Sequence, residues 1–206
     1  MKTLTTLLFL SALCIHAQKR IEKTIAINEQ TSSVVFNLEH VFSISVKSSK
    51  TPVINIKAIS EGEYANHFVV TEQTNDEALT IEGKIAFTFP DNQDKLSAHK
   101  VHAIAVEITV PETVEIIFNS DIGNLQAVGN YRGLTTNFLY GNCELTNVSG
   151  KMLIQTVNGD INLITKSGRV ITETKTGLIT QEQLLQGSSV FDLRTVNGHI
   201  NIEQAK

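Results

Sequence analysis

Apolar and polar positions alternate through much of the chain. Runs such as Phe42-Ser43-Ile44-Ser45-Val46 and Ile104-Ala105-Val106-Glu107-Ile108-Thr109-Val110 change side at every residue, the period of a strand with one buried face. Pro52 and Pro111 stand at the ends of such runs, where a missing amide does least harm. Near Val114 the texture changes: ten of the twelve glycines lie at or beyond Gly123, and the apolar segments shorten. Gly123, Gly133, Gly141, Gly150, Gly159, Gly168, Gly177, Gly187 and Gly198 follow one another at gaps of 10, 8, 9, 9, 9, 9, 10 and 11 residues. A unit of about nine residues cannot bury an apolar side alone, so the units must stack.

The residue two places after each glycine is usually apolar, which predicts a core of Leu125, Cys143, Met152, Ile161, Val170, Ile179 and Ile200. The glycines are predicted to supply turns, with Gly159 at positive φ. The closest internal match sets Thr156-Val157-Asn158-Gly159-Asp160-Ile161 against Thr195-Val196-Asn197-Gly198-His199-Ile200, 39 residues apart; at two nine-residue units per turn of chain, that is two turns. Asn-Gly also signals hairpins, so an antiparallel meander stands as the alternative. The constant offset of inward residues from each glycine favours an all-β chain whose residues 114–206 form a right-handed parallel β-helix, or β-solenoid. A strand-rich part over residues 18–113 is predicted to run continuously into it.

The start modifies this division. Lys2 followed by an uncharged apolar stretch to Ala17 reads as a signal peptide over residues 1–17, too short to span a bilayer. It predicts export to the periplasm, the outer-membrane surface or the medium. Cys14 belongs to that segment, and Leu13 before it disfavours lipidation. Cys143 is then the only cysteine left, so no intramolecular disulfide forms. The net charge is −4, residues 18–120 carrying 14 acids against 9 bases and residues 121–206 seven of each. No basic patch forms, which argues against nucleic acid as a partner; no later segment reads as a transmembrane helix.

Candidate chemistry is sparse. His99 and His102 lie three apart at the entry to a strand, where that spacing points them to opposite faces without a third metal ligand. His199 replaces Asp160 in the repeat and reads as a surface substitution. Cys143 falls at an inward position and reads as an inert thiol. Asp192 and Arg194 alternate on one strand and point outward, as a solvated ion pair or, less expectedly, as an acid beside a base. Asn147-Val148-Ser149 fits a glycosylation acceptor. Leu153, Ile164, Ile171 and Leu178 are apolar yet point away from the predicted core, as a covered face or partner surface would. Calcium-binding nonapeptide rolls need doubled glycines and repeated Asp, which are missing. No catalytic residue, cofactor or metal is predicted.

Val110-Pro111-Glu112-Thr113-Val114-Glu115-Ile116, Gly123-Asn124-Leu125, Val157-Asn158-Gly159-Asp160-Ile161, Ser167-Gly168-Arg169-Val170 and Val196-Asn197-Gly198-His199-Ile200 together resemble the bacterial putative-adhesin domain of unknown function. They are also similar to the related autotransporter adhesin head domains of exported Bacteroidota-type proteins. The resemblance covers residues 30–204. It implies a right-handed parallel β-helix-like fold at the cell envelope and no catalytic residues. The function expected is a non-enzymatic adhesin-like module binding an envelope protein or glycan, in an oligomeric state the sequence leaves open. A carbohydrate-active β-helix enzyme and a purely structural periplasmic protein are the alternatives.

Overall fold

The computed structural model describes residues 18–62, 65–75, 77–86 and 102–206. The signal-peptide reading of residues 1–17, Cys14 and His99 lie outside the described residues. The chain is all-β, as its alternation predicts, with strands β1 (Gln18–Ala26), β2 (Ser33–Leu38), β3 (Ser43–Ser49), β4 (Val53–Gly62), β5 (Phe68–Asn75), β6 (Ala78–Ile85), β7 (His102–Pro111) and β8 (Glu115–Ile122). Then follow β9 (Asn124–Tyr140), β10 (Cys143–Asn158), β11 (Ile161–Thr165), β12 (Ser167–Thr174), β13 (Ile179–Gln181), β14 (Leu185–Asn197) and β15 (Ile200–Gln204).

All fifteen strands join one sheet. One run of it is ordered β1-β4-β7-β3-β9-β10-β11-β15-β13; the other is β5-β6-β2-β8-β9-β10-β14-β12. The two runs meet in the long strands β9 and β10, each of which serves both after a break in register near Gly129 and Gly150. The sheet thereby curls back, barrel-like, around one apolar core. It is mixed rather than wholly parallel: β1 with β4, β4 with β7 and β5 with β6 pair antiparallel.

From β8 onward every ladder is parallel. Glu115 faces Gly133, Leu125 faces Cys143, and Cys143 faces Ile161, so one repeat is two glycine units. The Asn-Gly pairs at 158–159 and 197–198 therefore close no hairpins. The next step breaks the sequence order, because Met152 faces Phe191 and Ile161 faces Ile200, while Val170 and Ile179 lie beyond them against the same partners. The last pair of strands, β14 and β15, is inserted between the third repeat and the fourth. The two matching segments are thus immediate neighbours, not two turns apart.

Leu125, Cys143, Met152, Ile161 and Ile200 are at most 1% exposed. Val170 is only half-buried, and Ile179, assigned to the core by its spacing, is 45% exposed. Both sit on β12 or β13, the outermost strands, beyond which nothing stacks among the described residues. The glycine ladder also works differently from the turn reading. Gly159 does not have positive φ; of the nine, Gly141, Gly150 and Gly168 do. Gly123, Gly141, Gly159, Gly198 and Gly177 form one column in that spatial order, and a Cβ on Gly159 would collide with the carbonyl oxygen of Gly141.

Candidate functional site

The repeat aligns outward side chains into rows that cross the strands. In one row Asn37, Asn119, Asn137, Gln155, Arg194 and Glu173 stand side by side on β2, β8, β9, β10, β14 and β12. Period-two alternation puts them outside, since Phe36, Phe118, Ile154 and Leu193 beside them are buried. Six strands at a spacing of about 4.8 Å make the row about 24 Å long. Its first three amides are zipped together: Asn119 Nδ2 donates to Asn37 Oδ1 at 2.8 Å, and Asn137 Nδ2 donates to Asn119 Oδ1 at 2.9 Å.

A shallow groove follows the row. One part, of roughly 370 Å³, is lined by Asn137, Gln155, Val157, Glu173, Lys175 and Arg194, among others. A second, of roughly 440 Å³, continues from Asn137 past Asn119 and Asn37 to Glu39, Glu82 and Lys84. Amides occupy the middle, and charged pairs occupy both ends. Lys84 Nζ lies 2.7 Å from Glu82 at one end. At the other, Arg194 donates from Nε to Asp192 Oδ1 at 2.7 Å and from a terminal nitrogen to Oδ2 at 2.8 Å, with Glu173 3.8 Å away.

That fork decides what Asp192 can do. Both its oxygens accept from one guanidinium, which holds the carboxyl below the usual carboxylate range. It is therefore ionised and occupied near neutral pH, a poor proton donor and a poor nucleophile. Cys143 is no better placed: burial pushes its thiol up to about 12, so the reactive thiolate is scarce. His102 opens β7. Asn147 is exposed at φ 51° where β10 shifts register, and buried Val148 follows it.

His199 belongs to a second, structural row. Asn142 N–H donates to Asn124 Oδ1, Asp160 N–H to Asn142 Oδ1, His199 N–H to Asp160 Oδ1 and Leu178 N–H to His199 Nδ1, at 2.7 to 3.1 Å. The side chains that follow four of the five column glycines thus cap the backbone of the next strand in the column, and His199 accepts where Asp160 does. A third row explains the shared threonine of the matching segments: Thr156, Thr195 and Thr174 donate to the carbonyls of Gly141, Gly159 and Gly198.

Sequence reasoning reached Asp192 and Arg194 but missed Asn37, Asn119, Asn137 and Gln155. A signal existed for three of them, since residues 119, 137 and 155 recur at the 18-residue period. Asn37 joins across 82 residues, a distance no local pattern bridges.

No protein-family model matches the sequence, and no curated protein matches it. Among solved structures, a putative cell adhesion protein from Clostridium sporogenes superposes with a TM-score of 0.59 at 14% identity, covering 91% of this chain and all of that one. Putative adhesins from Bacteroides fragilis and Parabacteroides merdae align over 91% of this chain and 97% of theirs, at 12% and 13% identity, with TM-scores of 0.38 and 0.26. The fold is that of a putative adhesin-like domain of unknown function.

Proposed function

We propose that the chain is an exported, non-catalytic adhesin-like module that holds an extended glycan of the cell envelope in the groove along the Asn37 to Glu173 row. One observation carries this reading: the unbroken line of hydrogen-bonding side chains across six strands. Amides both donate and accept, which suits a polyhydroxylated chain, and a row of about 24 Å suits an extended ligand better than a compact one. The engagement of Asp192 by Arg194 supports binding over turnover. The adhesion named for the Clostridium protein adds support through the shared fold.

The architecture in this reading is a β-solenoid over residues 114–206, with residues 18–113 continuous with it. The parallel 18-residue register supports it, and parallel crossovers are right-handed almost without exception. A signal peptide over residues 1–17 would carry the module to the periplasm, the outer-membrane surface or the medium.

Binding to an array of envelope polysaccharides tests the groove. The chain is expected to retain at least one glycan, and the double variant Asn137→Ala/Gln155→Ala to bind it about tenfold more weakly, two neutral hydrogen bonds being worth about 0.5–1.5 kcal/mol each. A chain that retains no glycan, or a double variant that binds unchanged, overturns the reading.

A further inference from the structure

The two ends of the sheet are finished differently. At one end β5 presents Thr71, Glu72, Gln73, Thr74 and Asn75, all exposed and polar, and Lys23 on β1 pairs with Glu72 at 3.0 Å. Charged and polar side chains of this kind keep an edge from pairing with another chain. At the other end β12 and β13 pair on one side only among the described residues, and here Ile171, Leu178, Ile179 and Leu185 are 43%, 71%, 45% and 62% exposed. Four large apolar side chains are thus crowded into one short stretch beside unpaired strand edges.

We propose that this end docks a second copy of the same chain, β12 against β12 in antiparallel register about a two-fold axis through Ile171. The charge order of the strand argues for that occupant. Arg169, Ile171 and Glu173 are all exposed on the same side of β12. In an antiparallel pair centred on Ile171, residues equidistant from the centre face each other. Arg169 then meets Glu173 of the second copy, Glu173 meets its Arg169, and the two isoleucines meet on the axis. A two-fold interface requires such self-complementarity, since each contact occurs twice. Opposite charges directly across a strand pair stabilise it, and like charges oppose it. Pairing also completes the half-buried end of the core at Val170 and brings two copies of the Leu178, Ile179 and Leu185 patch to the same side of the assembly. The inference rests on the β12 edge, which shares Glu173 with the end of the groove, and association of the chain tests it apart from glycan binding.

Sedimentation equilibrium of the full chain, of Arg169→Glu, of Ile171→Lys and of the swap Arg169→Glu/Glu173→Arg tests it, with melting curves to verify folding. The expected result is a dimeric chain, dimerisation weakened about tenfold or more in either single variant, and a dimer restored in the swap. A monomeric wild-type chain, a dimer indifferent to the single variants, or a swap as monomeric as Arg169→Glu overturns the proposal.

Discussion

Gly159 and Gly133 hold equivalent places in the nine-residue ladder, yet their surroundings make opposite demands. A Cβ on Gly159 would be driven into the carbonyl of Gly141, part of the backbone of the next repeat. At Gly133 it would meet only the side chain of Glu115, at 3.3 Å and beyond, and that exposed chain can yield. Gly159→Ala is expected to cost about 1–3 kcal/mol, as overpacking does. Gly133→Ala is expected to be neutral or to stabilise by up to about 1 kcal/mol, because alanine loses less backbone freedom on folding. Melting of the two variants side by side checks this, and equal losses would show that the strands do not approach as described. Asp192 gives a second test at this scale. Its carboxyl is depressed in the folded chain by Arg194, so the pair stabilises above the unfolded carboxylate value near pH 4. That contribution is lost as pH falls through the lower folded value. Arg194→Leu is expected to raise the Asp192 midpoint seen by carboxyl NMR; an unmoved midpoint would contradict the fork.

The last four strands are assembled out of sequence order, and this has a consequence for the elements. Among the described residues β12 pairs only with β14, and β13 only with β15, so the fourth repeat has no seat until the chain's final segment fills the gap beside β10 and β11. Deleting residues 185–206 is expected to abolish amide protection over 169–181 and to lower without abolishing that of β8 and β9 in hydrogen exchange, since the shared core loses Phe191, Leu193, Ile200 and Ile202. Retained protection over 169–181 would mean that β12 and β13 can dock on the third repeat directly. Strand type and most inward positions were legible in the sequence, because a period of two with one buried face is a local property. The match at 39 residues was legible as well, through the Thr-Val-Asn-Gly segments. Its meaning was not, because whether residue 161 stacks on residue 179 or on residue 200 depends on long-range competition among similar apolar strands. Ile179 illustrates this: its spacing is that of a core residue, and only its place at the sheet's end exposes it. The groove was half legible. Asp192 and Arg194 are near in sequence, whereas Asn37, Asn119 and Asn137 meet only through ladders 82 and 18 residues long.

At the scale of the whole molecule, the decisive feature is that the strand-rich N-terminal part and the glycine ladder share one core. Phe36 stacks on Phe118 with ring centroids 4.8 Å apart. The buried Tyr131 hydroxyl lies 3.1 Å from the carbonyl of Val46 on β3 and 2.9 Å from that of Val128 on β9, bridging both parts. Repeat proteins can unfold piecemeal because each unit touches only its neighbours, but a shared core couples the units. The expectation is therefore a single transition, with far-ultraviolet and tyrosine near-ultraviolet signals melting together. Ile161 tests the coupling from the far side of that core. It is fully buried between Cys143 and Ile200. Removing its methyl groups alone costs about 2–5 kcal/mol, and an unpaired carboxylate adds the penalty of burying a charge. Against a typical total of about 5–15 kcal/mol, Ile161→Asp is expected to unfold the chain or lower its melting temperature steeply. The tyrosine signal should fall with the backbone signal, although Tyr131 sits on another strand. A variant that melts unchanged would place Ile161 off the buried side; one that loses strand signal while Tyr131 stays ordered would make the two parts separate cooperative units.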